Sequence, residues 1–516
     1  MRTDLLRLDQ RKSHLILIII SIILLIPTLF HPIFGDIAIF LEAGRAIATG
    51  KLIYVDYVDV KPPGFFYLFA VIYKIFGFND IGVRLFSFIW QSTTIILLNI
   101  VIVKYLKDKL IAGIASLIYS ISFVVLGYNG SITPESLFAL LFLISFILFY
   151  EKKIINLLLM GFVIGVIIGF KYSFGVVAVS FVLRLIINKE QNAWKSSCLI
   201  IIGSIVGFGT TLLPLLSGEV FEGFMNVNRF LGFYSSIPEL NTDFLKHMLT
   251  STSMLFTYNY SMSFFVFFII GVFFVFQQKK YSDNEFLNIV MILSFLLFIS
   301  IIIERKLSVL HYPRLILPLS LLSAIGLVET FRNVKFKNYN LLNKGLLVSL
   351  ILLLFVFSPF IRYSKEMLIM YSFLNDKHKY NSYYENASDN ILLRQTYLDV
   401  SDYIKSKAKP HDFVKTISIG GNIINYFLKD YPSSALPQSC FYYGIFKIDD
   451  WRKMHSQELM KSNWVIVQDN DNHPYLNGHN LSSSESLRAD TTNYQYIQEN
   501  FRIDTTITPF IIYKRK

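Results

Sequence analysis

The chain has 516 residues, of which 53% are apolar and only 16% are charged, whereas about a quarter of the residues of a soluble protein are charged. This composition excludes an ordinary soluble protein and indicates a membrane protein. The net charge of +12 is no sign of nucleic-acid binding, because the lysines and arginines stand in short loops between apolar runs, the pattern that orients membrane proteins. The two cysteines, Cys198 in an apolar run and Cys440 in a polar one, exclude a disulfide framework.

Apolar runs predict the membrane-spanning helices. A spanning helix needs about 20 mainly apolar residues, and about eleven runs qualify. They are 13–30, 82–103, 110–127, 134–150, 154–170, 172–187, 198–216, 260–276, 286–303, 308–328 and 343–361. The first run has no small-residue cleavage site, so we expect it to remain as a span and not to be removed as a signal peptide.

The charges of the loops predict the orientation. If the N-terminus is cytoplasmic, every inner loop is basic, as the positive-inside rule requires. The residues concerned are Arg2, Arg7, Arg11, Lys12, Lys104, Lys107, Lys109, Lys152, Lys153, Arg184, Lys189, Lys195, Lys279, Lys280, Arg332, Lys335, Lys337 and Lys344. We therefore predict a multi-pass protein of the inner (cytoplasmic) membrane whose C-terminal part lies outside the cytoplasm.

The first outer loop is long and contains two further helical patterns. Pro63–Phe76 is apolar, but as a helix it would be only about 21 Å long, too short to span. We interpret it as an interfacial or re-entrant helix, and Ile37–Thr49 as a second helix on the same surface. Loops without a binding role are usually short, so this loop is expected to carry function.

The sequence becomes polar at Arg362, and short strand and helix patterns alternate from there. Phe413–Ile419, Trp464–Gln468 and Thr508–Tyr513 are predicted strands, and Asn422–Leu428 is a predicted helix. The fold prediction is a mainly α-helical polytopic membrane domain, residues 1–361, with about eleven spans and interfacial helices in the first outer loop. A soluble extracytoplasmic α/β domain, residues 362–516, follows it.

Ionisable residues gather at the outer ends of the predicted spans, where a bare charge is costly and usually functional. They are Asp36, Asp56, Asp59, Lys61, Glu135, Lys171, Glu304, Arg305, His311 and Arg314. Each has a structural alternative: the acids can cap helices, the lysines can extend towards the interface, and His311 can be a hydrogen-bonded interfacial histidine. Their convergence on one face favours a site at the membrane–water boundary, suited to an anionic group and a proton to be removed.

Several segments resemble GT-C glycosyltransferases, and most closely the bacterial relatives of protein O-mannosyltransferase and of the lipid A aminoarabinose transferase. The resemblance rests on ordered motifs across most of residues 30–330. They are Asp36, Glu42-Ala43-Gly44-Arg45-Ala46, Gly50-Lys51-Leu52-Ile53-Tyr54-Val55-Asp56, Asp59-Val60-Lys61-Pro62-Pro63-Gly64, Phe76-Gly77 followed by Arg84, Thr133-Pro134-Glu135, Gly169-Phe170-Lys171 and His311-Tyr312-Pro313-Arg314 leading to Pro318.

This resemblance implies transfer of a sugar from a polyprenyl-phosphate donor to a glycan, lipid or protein acceptor outside the cytoplasm. It implies that Asp36 is catalytic, that Glu135 assists and that Lys61 binds the donor phosphate. Asp59, Lys171, Arg305, His311 and Arg314 are the other expected substrate-binding residues. Two departures from the family pattern, Ile37 after Asp36 and Glu135 in place of an aspartate, leave the metal requirement open. No metal ligand is assigned, although a divalent cation could share the acidic site.

Three other classes of function were weighed against this one. A transporter or lipid flippase would favour charges near the bilayer midplane, broken helices and repeated halves, and the sequence has none of these patterns. An envelope-glycan polymerase or ligase is chemically close, but such enzymes usually carry the key outer loop late in the chain. A binding or assembly protein would use the soluble tail as its module.

The motif Gly420-Gly421-Asn422, which follows a predicted strand, is too weak a signal to predict a nucleotide-binding site.

Overall fold

The computed structural model describes residues 14–33, 35–127, 132–234, 246, 249–250, 252–253, 262–304, 309–333, 359–385 and 393–516. The predicted site residue Arg305 lies outside the described residues, as do residues 343–358 of the last predicted span. The described chain is mostly helical.

The longer helices and the strands are numbered here in chain order. The helices are α1 (His14–Phe30), α2 (Asp36–Ala48), α3 (Pro63–Phe76), α4 (Asp80–Leu106), α5 (Lys109–Val124), α6 (Pro134–Tyr150), α7 (Ile154–Phe170), α8 (Val176–Ile187), α9 (Ala193–Thr211), α10 (Gly218–Tyr234), α11 (Met262–Gln277), α12 (Glu285–Ile303), α13 (Ile316–Asn333), α14 (Pro359–Asn375), α15 (Arg394–Lys407), α16 (Asp449–Lys461) and α17 (Thr491–Asn500). The strands are β1 (Val414–Ile417), β2 (Trp464–Gln468), β3 (Phe501–Ile507) and β4 (Phe510–Arg515).

The first of two compact units consists of residues Met1–Pro32, Asn79–Leu212 and Leu245–Met370. Within its described part, α7 and α9 pack so closely that a side chain at Gly161 or Gly165 would collide with the backbone of α9. Gly271 on α11 and Gly326 on α13 make the same kind of contact. Small residues at such crossings are typical of helix packing in membranes, where close backbone approach replaces the hydrophobic effect between helices.

The apolar helices of this unit are those of a multi-pass membrane protein. Among the described residues, four helices are long and apolar enough to cross a membrane: Asp80–Leu106, Ala193–Thr211, Glu285–Ile303 and His311–Asn333. Several shorter apolar helices accompany them, including α1, α5, α6 and α7. The total of about eleven spans and their orientation stay predictions.

The second unit consists of Ile33–Phe78, Leu213–Phe244 and Tyr371–Lys516. Its four-stranded sheet has the order β1-β2-β4-β3, in which β1 and β2 are parallel and the other pairs antiparallel. The three predicted strands correspond to β1, β2 and β4, and the predicted helix to Gly421–Phe427. Strand β3 was not predicted, because its alternation of apolar and polar residues stops at the polar run Asp504-Thr505-Thr506.

Residues of the first outer loop pack against the C-terminal part of the same unit. The backbone N–H of Val58 donates to the carbonyl oxygen of Ala435 at 2.9 Å, and the rings of Phe78 and Tyr426 lie 5.1 Å apart. Arg45 donates to the carbonyl oxygen of Lys429. The division into domains 1–361 and 362–516 stays a prediction, to which the structure adds this packing of the loop with the C-terminal part.

Candidate active site

Asp36 and Lys61 lie together because α2 and α3 pack closely. The ring of Phe40 on α2 lies 4.8 Å from that of Phe65 on α3. Gly44 permits this packing, since a Cβ there would come within 2.6 Å of the backbone of Phe69. Both helices therefore begin at one place, with Asp36 as the first residue of α2 and Lys61 two residues before α3.

The two charged groups form a partly exposed ion pair. Lys61 Nζ lies 3.5 Å from Asp36 Oδ2, and their side chains are 27% and 37% exposed. Both the backbone and the side chain of Lys61 have further contacts. Its carbonyl oxygen accepts a hydrogen bond from the Tyr54 hydroxyl at 2.7 Å, and its ammonium lies 5.4 Å from the centre of the Phe40 ring. A carboxylate and an ammonium group are thus held side by side and remain accessible to a substrate.

Asp59 occupies a different environment from Asp36. Its side chain is buried, and Oδ2 has no hydrogen-bond partner among the described residues. Burial raises the pKa of Asp59, Lys61 opposes that increase, and the negative charge of Asp36 adds to it. Backbone N–H groups of Val60 and Lys61 donate to the Asp59 carboxylate. These contacts suit a residue that shapes the loop around Lys61.

A second group of predicted residues meets in the helical unit. Lys171 follows the last residue of α7, and its ammonium donates to Glu135 Oε1 and lies 2.8 Å from Glu304 Oε2. His311 Nδ1 lies 3.0 Å from the same Glu135 oxygen. Glu135 stands in the first turn of α6, which Thr133 caps through a reciprocal hydrogen-bond pair with Ser136. Glu304 caps the end of α12.

Arg314 connects the two carboxylates of this group. Its Nη2 donates to Glu135 Oε1 at 3.1 Å, and its Nη1 donates to Glu304 Oε1 and to the Ser300 hydroxyl, each at 2.8 Å. The Arg314 side chain is fully buried, and its guanidinium lies over the ring of Phe174. Burial raises the pKa of Glu304, but Lys171 and Arg314 outweigh it and lower that pKa to about 2. Both carboxylates are therefore stabilised as anions.

The carboxylates and the imidazole of this cluster are suitable ligands for a divalent cation, but the ammonium of Lys171 lies between them. Ligand atoms of Glu135, Glu304 and His311 all lie within 4.8 Å of one another, and two carboxylates with an imidazole are a common metal-binding set. The Lys171 ammonium lies 3.0 Å from His311 Nδ1 and contacts both carboxylates. A metal ion would have to displace that ammonium.

The described predicted site residues thus fall into two groups, one in each unit. Asp36, Asp59 and Lys61 belong to one, and Glu135, Lys171, His311 and Arg314 to the other. Sequence reasoning placed Glu304 at the border of a span but did not list it as a site residue. Its position directly after α12 was the available signal, because a charge at a span end needs a partner.

A family model and two solved structures resemble this chain. Residues 60–215, which include Lys61, Glu135 and Lys171, match the model of the dolichyl-phosphate-mannose-protein mannosyltransferase family. The structure of ArnT from Cupriavidus metallidurans bound to undecaprenyl phosphate aligns over 97% of both chains, with a TM-score of 0.56 and 9% identity. The chain has the GT-C fold. The predicted resemblance to GT-C glycosyltransferases is therefore confirmed.

A second structure of the GT-C fold is similar over a smaller part of its length. The oligosaccharyltransferase of Archaeoglobus fulgidus, tethered to an acceptor peptide, aligns over 88% of this chain and 69% of its own, with a TM-score of 0.50 and 11% identity. None of the curated proteins matches the sequence. At these identities the likeness shows the fold, and the activity has to be argued from the site.

Proposed function

We propose that this protein is a membrane glycosyltransferase that transfers a sugar from a polyprenyl-phosphate donor to a glycan, lipid or protein acceptor of the cell envelope, outside the cytoplasm. The observation that carries the proposal is the partly exposed pair of Asp36 and Lys61 at the start of two packed helices. The match of residues 60–215 to a mannosyltransferase family supports it, as does a structural neighbour that binds undecaprenyl phosphate.

Lys61 is the proposed binding residue for the donor phosphate. Cleavage of the sugar–phosphate bond leaves negative charge on the phosphate oxygen, and a fixed cation stabilises that charge as it develops. Lys61 can turn from Asp36 to a phosphate because both side chains are partly exposed and their separation is 3.5 Å. Phosphate binding then releases the Asp36 carboxylate for its own task.

Asp36 is the proposed general base. The acceptor oxygen attacks the anomeric carbon of the sugar, the carbon–oxygen bond to the phosphate breaks, and the polyprenyl phosphate leaves with the bonding electron pair. The acceptor proton passes to the carboxylate of Asp36. A single displacement of this kind inverts the configuration at the anomeric carbon. A positioned general base contributes about 10²–10⁴ in rate.

The cluster around Glu135 is proposed to bind substrate and not to remove the proton. One oxygen of Glu135 already accepts hydrogen bonds from Lys171 and Arg314 and contacts His311. A carboxylate with so many donors is a weak base, but it holds those donors in fixed positions. Lys171 and His311, whose side chains are 17% and 19% exposed, are the proposed contacts to the substrate.

Incubation of the purified protein with radiolabelled polyprenyl-phosphate sugars tests the proposal. The panel includes hexose and pentose donors, with nucleotide sugars as controls. We expect hydrolysis or transfer with at least one lipid-linked donor and none with the nucleotide sugars, and we expect Asp36→Asn to abolish most of it. Failure of every lipid-linked donor would refute the proposal, and turnover by Asp36→Asn at the wild-type rate would refute the assigned base.

A further inference from the structure

A residue of the C-terminal part contacts the backbone next to Asp36. Asn422 is buried, and its side-chain Nδ2 donates a 2.7 Å hydrogen bond to the carbonyl oxygen of Gly35. The two residues lie 387 positions apart in the chain but in the same compact unit. Gly35 immediately precedes Asp36, so this hydrogen bond acts on the residue that determines where α2 begins.

Gly35 has a backbone conformation that needs such support. Its φ is +53° and its ψ is −132°, a combination that residues with a side chain rarely adopt. Gly35 is also the N-cap residue of α2, and no side chain caps that end. The carbonyl oxygen that accepts from Asn422 also accepts from the N–H of Ala38 at 3.1 Å. The Asn422 amide therefore reinforces the first turn of α2.

The position of Asn422 is itself fixed by its surroundings. It lies in the helix Gly421–Phe427, which follows β1. A Cβ at Gly420 would come too close to the Tyr397 hydroxyl, and a Cβ at Gly421 would be tight against Thr416. The Thr416 hydroxyl on β1 donates to Asn425 Oδ1 at 3.0 Å and ties the helix to the sheet. The hydrogen bond to Gly35 is thus made from a rigid support.

We propose that Asn422 is a positioning residue for Asp36, so that the C-terminal part of the chain completes the catalytic loop. This inference rests on the proposed function of Asp36. The sequence motif Gly420-Gly421-Asn422 then has a role: the glycines leave room for the neighbouring side chains of Tyr397 and Thr416, and the asparagine supplies the donor. A shift of about 1 Å in a catalytic group can cost roughly 10²-fold in rate, which is the effect that Asn422 prevents.

Kinetics and hydrogen exchange of one set of variants test the proposal. Asn422→Asp keeps the shape of the side chain but replaces its N–H donor with a carboxylate oxygen that faces the Gly35 carbonyl. We expect kcat to fall by about 10-fold or more while the donor KM stays within about twofold. Amide exchange in the first turn of α2 should become faster. Asn422→Ala should have the same effects if the aspartate variant does not fold.

Asn425→Asp is the matched control, since it changes a buried asparagine of the same helix but keeps the oxygen that accepts from Thr416. Its kcat and its amide exchange in the first turn of α2 should be those of the wild type.

If Asn422 acts through Asp36, then the double variant Asp36→Asn with Asn422→Asp should be no slower than Asp36→Asn alone. Additive losses, or wild-type kcat and exchange in both Asn422 variants, would overturn the proposal. Absence of any transfer by the wild type would refute the proposed function, and the exchange experiment alone would still decide whether Asn422 fixes α2.

Discussion

The Asp36 carboxylate lies 3.5 Å from the Lys61 ammonium, although 24 residues of the first outer loop separate them. The pair exists because Gly44 lets α2 approach the backbone of α3. Each helix then presents its first turn at the same place. The chain thereby sets the proposed base beside the proposed phosphate-binding cation before any substrate arrives, and pre-organisation of this kind lowers the cost of reaching the transition state.

Asp36→Asn should lower kcat by at least about 10², because the amide cannot accept the acceptor's proton. Asp36→Glu should recover part of the activity at most, since the longer side chain misplaces the base by about an ångström. Steady-state transfer at saturating donor measures both. Asparagine is as good a helix cap as aspartate, so full activity of Asp36→Asn would show that Asp36 is only a cap.

Lys61→Ala should weaken donor use more than Lys61→Arg, because a phosphate needs the positive charge above all. One charged hydrogen bond is worth about 1.5–3 kcal/mol, which corresponds to a rise in donor KM of roughly 10-fold or more. Lys51→Ala, an exposed lysine of the same loop, is the control and should have little effect. An unchanged donor KM and kcat in Lys61→Ala would argue that the lysine only extends towards the interface.

Lys171→Ala should make the protein respond to divalent cations. The donor atoms of Glu135, Glu304 and His311 lie within 4.8 Å of one another in the unsubstituted protein, and removal of the ammonium leaves space between them for a metal ion. We expect Mn²⁺ or Zn²⁺ to raise the melting temperature and to restore part of the activity of this variant. Chelation should leave the wild type unchanged. Lys153→Ala, at an exposed surface pair, controls for the loss of a lysine and should show no cation effect.

Arg314→Met should destabilise the helical unit by about 3–5 kcal/mol, because it leaves the buried carboxylate of Glu135 and the partly buried carboxylate of Glu304 with one cation fewer. Thermal unfolding in detergent measures the loss. Lys153 pairs with Glu151 at a site where the two side chains are 70% and 48% exposed. Lys153→Met should therefore have little effect on the unfolding temperature. Equal losses in the two variants would contradict the view that the Arg314 cluster is held together by its buried charges.

Glu42 should make the stability of the second unit depend on pH. Burial raises its pKa from the ordinary 4.5 to about 7, although Arg45 opposes the increase. The folded protein then holds a proton that the unfolded chain releases, so the free energy of unfolding falls as pH rises from about 5 to about 7, by at most about 3 kcal/mol. Glu42→Gln, which cannot ionise, should unfold at a higher temperature than the wild type at pH 8 and at the same temperature near pH 5. If the difference in melting temperature between Glu42→Gln and the wild type were the same at every pH, this assignment would be contradicted.

Local sequence was sufficient to predict those helices whose start, end and apolar character are all marked by residues within the helix or next to it. The bounds of α6 and α7 coincide with the predicted runs 134–150 and 154–170, because capping residues and the charged turn at residues 151–153 mark the ends of continuous apolar segments. The two short helices of the first outer loop were predicted for the same reason. The length of Pro63–Phe76 excluded a span, and the structure forms the two helices at Asp36–Ala48 and Pro63–Phe76.

Composition and apolar runs thus determined that this is a helical membrane protein with a polar C-terminal part, and they predicted a functional first loop. Only the tertiary structure brought Glu304 to Lys171 and Arg314, and only the tertiary structure joined Asn422 to Gly35. The physical reason is that helix and span signals arise from neighbours in the chain, whereas ion pairs and hydrogen bonds between distant segments depend on how the finished elements pack. A buried donor such as Asn422 has no local pattern, because its partner is a backbone carbonyl that every residue possesses.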